Sequence, residues 1–225
     1  MEQRLAEAMA ALRSAATDHD LANLSRFAID APSGLGVSMA NLQKIAKRLG
    51  RDHDLAAALW ETGVYEARML ASLVDDPAQV TPAQMDAWRA DFDNWAIVDT
   101  VCFKLFDQSP HAFAKIEAWA GLNDEFGRRA AFALLACLAL HHKGDDDRPY
   151  LEGLALIERA ATDDRNFVKK AVNWALRAIG LRDSPMLKAA ALDTARRLAA
   201  SPEPSARWIG KDAVRAFAKT TAVRS

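Results

Sequence analysis

Two segments that echo each other indicate the fold of this chain: residues 123–132 (NDEFGRRAAF) and residues 163–172 (DDRNFVKKAV). Each opens with Asn or Asp, continues through positively charged residues and leads into an apolar stretch with helical spacing. The two segments lie about 40 residues apart, which is the period of stacked helical pairs of the HEAT type. We therefore predict an all-α fold, an α-solenoid of HEAT-like antiparallel helical pairs whose equivalent positions line up along one concave surface.

The rest of the chain follows the same pattern. Ala and Leu dominate, and apolar residues recur at i, i+3, i+4 and i+7 over many segments. Short turns rich in Pro, Gly, Asp and Ser separate these segments, at residues 30–34, 75–77, 81–82, 109–110, 121–124, 143–147, 182–185 and 201–204. Because no stretch has the composition of a disordered linker, we predict a single HEAT-like domain over residues 1–225.

The composition is that of a protein with a sizeable core. The chain has 225 residues, of which 51% are hydrophobic and 26% charged. No apolar run approaches the roughly 20 residues needed to cross a bilayer, and residues 1–8 lack the apolar segment of a secretory signal. Cys102 and Cys137 each lie inside an apolar helical pattern, where a cysteine acts as a small hydrophobic residue. We expect a cytoplasmic protein that is not associated with a membrane.

The charges are distributed unevenly along the chain. Of its 29 Lys and Arg and 30 Asp and Glu residues, 13 basic and 4 acidic residues lie from Arg165 onward, a net charge of +9. The remaining 16 basic and 26 acidic residues give the first 164 residues a net charge of −10. Such a split predicts a basic surface in the C-terminal part, although it can also serve solubility or self-association.

A basic and aromatic helix face stands out in this C-terminal part. Lys170, Trp174 and Arg177 are spaced i, i+4 and i+7, with Lys169 beside them. Two cations around a flat ring suit a phosphate backbone with a sugar or base resting on the indole. The alternative is a half-buried Trp covered by the aliphatic stems of Lys and Arg, which is common on soluble helices.

A carboxylate in an apolar helix is the second unusual feature. Trp95 and Asp99 are spaced i, i+4, and Asp99 lies among Ile97, Val98 and Val101. Burying a carboxylate there costs free energy unless a cation or a hydrogen-bond donor meets it. Asp99 is thus either bonded to a neighbouring helix terminus or held beside an aromatic ring at an open groove.

Cations also stand at two further helix positions. Arg129 precedes the apolar stretch 130–138, and the helix dipole disfavours a cation in the first turn, so we expect a carboxylate or a phosphate as its partner. Near the C-terminus, Arg207, Lys211 and Arg215 form a basic stripe at i, i+4 and i+8 beside Trp208. This stripe is either a phosphate clamp or the solvated face of a terminal helix.

The candidate residues occur in the order found in the bacterial DNA alkylation repair family, the AlkD-like DNA glycosylases, which this chain resembles over nearly its whole length. The motifs that carry the resemblance are Trp95-x-x-x-Asp99, Arg129 before Ala130-Ala131, Lys170-x-x-x-Trp174-x-x-Arg177, Arg26-Phe27, Leu35-Gly36-Val37-Ser38 and Ala206-Arg207-Trp208-Ile209-Gly210-Lys211-Asp212. Members of that family resemble stacked HEAT-like helical repeats, which form a positively charged concave surface for duplex DNA. The resemblance implies double-stranded DNA with alkylated bases as the partner, bound on a concave surface.

The resemblance also implies an activity, the cleavage of the N-glycosidic bond of cationic alkylated purines such as 3-methyladenine and 7-methylguanine, without flipping of the base. Asp99 matches the family's catalytic carboxylate. Trp95 and Trp174 match the indoles that pack around the lesion. The chemistry fits these residue types, since departure of the purine leaves a cationic sugar that a fixed carboxylate stabilises.

The remaining site residues follow from the same resemblance. Arg129 matches the family's phosphate-contacting arginine, and Lys170 and Arg177 resemble further backbone contacts. Phe27 stands where a well-known member has Tyr, so a hydroxyl contact to DNA is missing, and Ala96 stands where other members often carry Asp. Lys169, Arg207 and Lys211 complete the expected DNA-binding set.

The chemistry requires no cofactor and no metal. His141 and His142 lie where a helix is expected to end, and there they complement its dipole rather than bind zinc. A monomer is expected because the groove itself supplies the DNA-binding surface. A second hypothesis stands beside the glycosylase: a noncatalytic HEAT-repeat module that binds nucleic acid or a protein partner, since a fold alone does not certify catalysis.

Overall fold

The computed structural model describes the backbone of residues 1–223 and the side chains of residues 1–219, and within this part the chain is all-helical. The helices of its first half are α1 (Glu2–Ala15), α2 (Asp18–Arg26), α3 (Met39–Leu49), α4 (His53–Glu61), α5 (Tyr65–Val74), α6 (Pro82–Ala90) and α7 (Trp95–Lys104), followed by a 3-10 turn, Phe106–Gln108. Those of its second half are α8 (Ala112–Ala120), α9 (Glu125–His141), α10 (Arg148–Ala160), α11 (Asn166–Leu181), α12 (Pro185–Ala199) and α13 (Pro204–Val223). The predicted all-α class is confirmed.

The chain divides into two compact units, Met1–Pro110 and His111–Ser225. Each unit buries its own set of apolar side chains. The organisation as a single domain over residues 1–225 stays a prediction. Among the described residues, no helix combines the length and the apolar character needed to span a membrane.

Polar side chains fix where several helices begin. The side chains of Thr17, Asp52, Thr81, Asn94, Asp124 and Ser184 accept hydrogen bonds from first-turn N–H groups of α2, α4, α6, α7, α9 and α12. These N–H groups have no partner within their own helix, so each cap stabilises its helix by about 1 kcal/mol. These caps therefore fix the start of each of the six helices.

The second unit consists of three stacked helical pairs. Helices α9, α11 and α13 pack against one another in sequence, and α8, α10 and α12 each pack on the helix that follows them in the chain. Residues 130–139 of α9 are buried without a break, as their continuous apolar character predicts. Phe126 and Phe167, which are 41 residues apart in the two echoing segments, have ring centroids 5.6 Å apart. The echo thus reports a structural repeat.

Polar residues of the echoing segments hold the starts of these repeats together. The carboxylate of Asp163 accepts from Arg165 at 2.6 and 2.9 Å and pairs with Arg128 at 3.2 Å. The guanidinium of Arg165 also donates to the carbonyl oxygen of Asn123 at 2.6 Å, and the hydroxyl of Ser205 donates to the carbonyl oxygen of Asp163 at 2.7 Å. One acidic residue thereby connects the starts of α9, α11 and α13.

In the first unit, α3, α5 and α7 pack against one another in sequence, and α4 packs on α5. A buried carboxylate fixes the loop before α3. Glu66, which is fully buried, accepts hydrogen bonds from the N–H groups of Leu35 and Gly36 at 2.7 Å and of Val37 at 3.3 Å. Gly36 has φ +82, and a Cβ there would lie 2.4 Å from the carbonyl oxygen of Thr17, so only glycine fits.

Replacement of Asp163 by Asn should destabilise the second unit by about 2 kcal/mol, because charge-assisted hydrogen bonds to Arg165 and Arg128 are lost. The hydrogen bonds from Arg165 hold the pKa of Asp163 below its usual value of 3.8. A carboxyl whose pKa is lower in the folded protein than in the unfolded chain stabilises the fold at pH values above its ordinary pKa. This stabilisation is lost as the pH falls through the pKa of the folded protein. Melting curves should therefore show a gap between wild type and Asp163→Asn at neutral pH that narrows as the pH falls below about 5.

The neighbouring Asp164 is exposed and provides the matched control. Asp164→Asn should melt like the wild type throughout this pH range. A wild-type melting temperature for Asp163→Asn at neutral pH would show that this carboxylate does not hold the repeats together.

Candidate nucleic-acid interface

The first unit brings three predicted residues together, Phe27, Trp95 and Asp99, which we call the Trp95 cluster. Trp95 is the first residue of α7, and its helix begins there because the side chain of Asn94 accepts from the N–H groups of Ala96 and Ile97, both at 3.0 Å. The indole N–H of Trp95 donates to the carbonyl oxygen of Phe27 at 2.9 Å. This hydrogen bond fixes one edge of the indole ring, while the residue as a whole remains partly exposed.

An uncommon backbone conformation sets the position of the Phe27 carbonyl. Phe27 ends α2, and Ala28 has φ +54, in the left-handed region that non-glycine residues rarely adopt. The N–H of Ile29 donates a hydrogen bond to the carbonyl oxygen of Leu24 at 2.9 Å, and the Ile29 side chain is buried. The turn leaves the Phe27 carbonyl to accept from Trp95 and leaves the Phe27 ring 62% exposed.

Asp99 lies one helical turn after Trp95 on the same side of α7. Its side chain is partly exposed, whereas Ile97, Val98 and Val101 are buried. The sequence places Asp99 among apolar residues, but the helix turns those residues to the core and Asp99 away from it. A carboxylate that is partly exposed in this way can act on a bound cation.

Ala96, at the position where some family members carry Asp, is 7% exposed and belongs to the core. A carboxylate at this position would be buried among the apolar residues of α7, at a free-energy cost that the alanine avoids. The Trp95 cluster therefore carries its negative charge at Asp99.

The second unit presents a different kind of surface. On α11, Lys170 is exposed and Trp174 and Arg177 are partly exposed, while Val172 and Leu176 are fully buried. The spacing i, i+4, i+7 thus defines the outward face of the helix, as predicted. Trp174 is partly exposed, so part of its side chain is available to a ligand.

Helix α13 extends this surface, because it packs beside α11. Trp208 is 40% exposed, and the ammonium group of Lys169 lies 5.4 Å from the centroid of its ring, a cation–π contact that joins the two helices. Lys211 is exposed on the next turn. We call the surface formed by Lys169, Lys170, Trp174, Arg177, Trp208 and Lys211 the basic-aromatic face.

Arg177 has an acidic neighbour on this face. Its Nη1 lies 3.4 Å from Oδ2 of Asp212, and Arg215 approaches Oδ1 of the same carboxylate at 3.3 Å. Two guanidinium groups share one carboxylate, so the group keeps a net positive charge. Such partly exposed ion pairs are weak, and a phosphate can compete for either arginine.

Two other predicted DNA-binding residues are engaged within the protein. Arg129 is only 5% exposed, and its Nη1 donates to the carbonyl oxygen of Phe167 at 2.7 Å, near the start of α11. Arg207 donates from Nη1 to the carbonyl oxygens of Ser201 and Pro202 at 2.9 and 2.8 Å. Both arginines order the starts of helices in this structure, and their contacts to phosphate stay predictions.

No group of three or more His, Cys, Asp or Glu residues within the described part of the chain could hold a metal ion. His142 lies at the end of α9, where its Nδ1 is 3.4 Å from the hydroxyl of Tyr150 and accepts from the N–H of Gly144 at 3.3 Å. Both cysteines are buried free thiols.

The sequence analysis missed two contacts that order the first unit. One is made by the carboxylate of Glu66, which fixes the Leu35-Gly36-Val37 loop. The sequence pointed to it only through an acidic residue in the otherwise mostly apolar segment that forms α5. The other is the contact between the Trp95 indole and the Phe27 carbonyl, which joins residues 68 positions apart. Spacing along one helix carries no information about such a contact.

Comparisons with known proteins agree with this architecture. A solved structure superposes on the chain with a TM-score of 0.76 and 19% sequence identity, covering 92% of each chain. It is described as a member of a new family of proteins related to the HEAT-like repeat DNA glycosylases, with affinity for branched DNA structures. The likeness confirms the predicted HEAT-like fold. None of the curated proteins that were searched is significantly similar.

The family model for the DNA alkylation repair enzymes matches residues 8–216, which is most of the chain and includes every candidate site residue. A match of this extent confirms the resemblance that the motifs indicated. The chain belongs to the DNA alkylation repair enzyme family.

Proposed function

We propose that this protein is a DNA glycosylase that excises positively charged N3- and N7-alkylated purines, such as 3-methyladenine and 7-methylguanine, from duplex DNA. The observation that carries the proposal is the partly exposed carboxylate of Asp99, one helical turn from the hydrogen-bonded indole of Trp95, in a member of the DNA alkylation repair family. By the family resemblance, the base need not be flipped out of the duplex.

In the proposed reaction the bond between C1′ of the deoxyribose and the purine nitrogen breaks, and its electron pair leaves with the base. The departing purine loses its positive charge, and the sugar becomes oxocarbenium-like. The Asp99 carboxylate stabilises this cation and orients a water molecule, which adds to C1′ and releases a proton to solvent. One such electrostatic contact contributes about 3 kcal/mol, or roughly 100-fold in rate.

The basic-aromatic face has a separate role in this proposal, which is to bind the DNA backbone. Lys170, Lys211 and Arg177 contact phosphates, and Trp174 packs against a deoxyribose. The role of Trp174 as a catalytic residue is part of the same proposal and rests on the family resemblance. Trp95 is the other proposed indole, and the Phe27 carbonyl holds its orientation.

A second candidate function is noncatalytic binding of branched DNA. One observation favours it: the structurally similar protein is described as having affinity for branched DNA structures. In this case the basic-aromatic face would bind DNA in the same way, and Asp99 would have no chemical role. Release of free base from DNA separates the two candidates.

Replacement of Asp99 by Asn should lower the release of 3-methyladenine and 7-methylguanine from methylated duplex DNA by about 100-fold, because the neutral amide does not stabilise a cationic sugar. Single-turnover base release, measured by chromatography, would show this. Binding of the same duplex should not weaken, since the substitution removes a negative charge.

Asp54→Asn is the matched control, because Asp54 is an exposed acidic residue on α4 of the same unit. It should release base at the wild-type rate. Wild-type protein that binds methylated DNA but releases no base would favour the noncatalytic function, and undiminished release by Asp99→Asn would remove Asp99 from the reaction.

Lys170→Gln and Lys211→Gln should each weaken binding to duplex DNA and reduce the slope of log K against log salt concentration by about 1, because each removes one phosphate contact. Fluorescence anisotropy over a range of salt concentrations measures both quantities. Lys188→Gln, on α12 and paired with Asp183 at 3.0 Å, is the control and should leave the slope unchanged. Equal slopes for all three variants and the wild type would contradict the assignment of this face.

A further inference from the structure

An apolar hollow of about 180 Å³ opens at the edge of the basic-aromatic face. Its walls come from the end of α9, from α11 and from α13, and include Leu140, Trp174, Leu181 and Phe217, with Arg177 at its edge. Leu140 and Leu181 are each 45% exposed, which is unusual for large apolar side chains at one place on a helical surface. The hollow therefore offers an apolar surface to a ligand.

A glycine allows the hollow to form. A Cβ placed on Gly180 would lie 2.4 Å from the ring of Phe217 and 3.3 Å from the Cβ of Ala191. The ring of Phe217 thus packs directly on the backbone of α11, and Phe217 is one wall of the hollow. Any side chain at position 180 must displace this ring.

Cations adjoin the hollow. Arg177 lines it and shares the carboxylate of Asp212 with Arg215, so this ion group has one positive charge in excess. Lys170 lies one turn before Trp174 on the same exposed side of α11. A ligand that fits this combination has a flat apolar ring and carries negative charge close to it.

A nucleobase on its phosphate backbone has this chemistry. A cavity of roughly 150 Å³ accommodates a benzene-sized ring, so the hollow matches a single base in size. A base inside a duplex presents only its edges to a protein, because both of its faces are stacked, whereas an unpaired base can place a face on an indole. The hollow thus distinguishes DNA with an unpaired base from fully paired DNA.

We propose that this hollow binds one unpaired nucleobase of DNA that contains a gap or a single-stranded branch, with Trp174 as the stacking platform. The inference rests on the DNA-binding role of the basic-aromatic face and is independent of base excision. It gives the protein a means to select interrupted or branched DNA over intact duplex.

Gly180→Ala tests the proposal without a change of charge. The added methyl group meets the Phe217 ring, which must shift, and so changes a wall of the hollow; position 180 lies inside α11, where alanine is favoured over glycine. The probes are a duplex with a one-nucleotide gap opposite 2-aminopurine and the same duplex without the gap. Gly180→Ala should bind the gapped probe about tenfold more weakly than the wild type, since stacking of one base contributes on the order of 1–3 kcal/mol.

Two further variants complete the experiment. Leu181→Gln removes an exposed apolar wall and should weaken binding of the gapped probe as well. Gly121→Ala, at a position with open space for a Cβ in the same unit, should bind like the wild type. All three should bind the intact duplex within about twofold of the wild type, and thermal melting confirms that each is folded.

Equal affinity of the wild type for the two probes would overturn the proposal, and so would an unchanged preference for the gapped probe in Gly180→Ala and Leu181→Gln. A change in 2-aminopurine fluorescence that occurs with the wild type and not with these variants would support it. The proposed function is tested by separate experiments. These are the binding of intact duplex by Lys170→Gln and the release of base by the wild type.

Discussion

The packing of α11 between α9 and α13 is the constraint on which the basic-aromatic face and the apolar hollow beside it both depend. It buries Val172, Leu176 and the unbroken apolar stretch of α9, and so commits one side of α11 to the core. The residues left on the other side are Lys170, Trp174 and Arg177, which would contribute little to a core. Asp163 fixes the register of the three helices at their starts, so the outward residues of α11 and α13 come to lie on one surface.

The features that depend on local periodicity could be predicted from the sequence. The echo of residues 123–132 in residues 163–172 predicted the repeat, and the structure has the two phenylalanines of these segments in contact. The spacing of Lys170, Trp174 and Arg177 predicted the outward face of α11, because with 3.6 residues per turn the apolar residues of this helix fall on its other side. The neighbours of Asp99 in the sequence were a poorer guide, since they share its helix but not its face.

The features that depend on contacts between distant residues could not be predicted. The carbonyl that orients Trp95 belongs to Phe27, the carboxylate beside Arg177 belongs to Asp212, and the ring over Gly180 belongs to Phe217. Arg129 is a further example. The Nη1 of Arg129 donates to the main-chain carbonyl of Phe167, 38 positions away, and no spacing in the sequence indicated this contact.

In the proposed glycosylase, Asp99 and the basic-aromatic face make opposite electrostatic demands on DNA. The cations would attract phosphates before and after the reaction, so they would contribute affinity without by themselves raising the rate. A carboxylate near a phosphate backbone costs binding energy through repulsion. It recovers this cost only when the sugar becomes positively charged, which happens in the transition state of glycosidic cleavage. A partly exposed carboxylate beside an indole therefore suits the proposed excision better than it suits the binding of branched DNA alone.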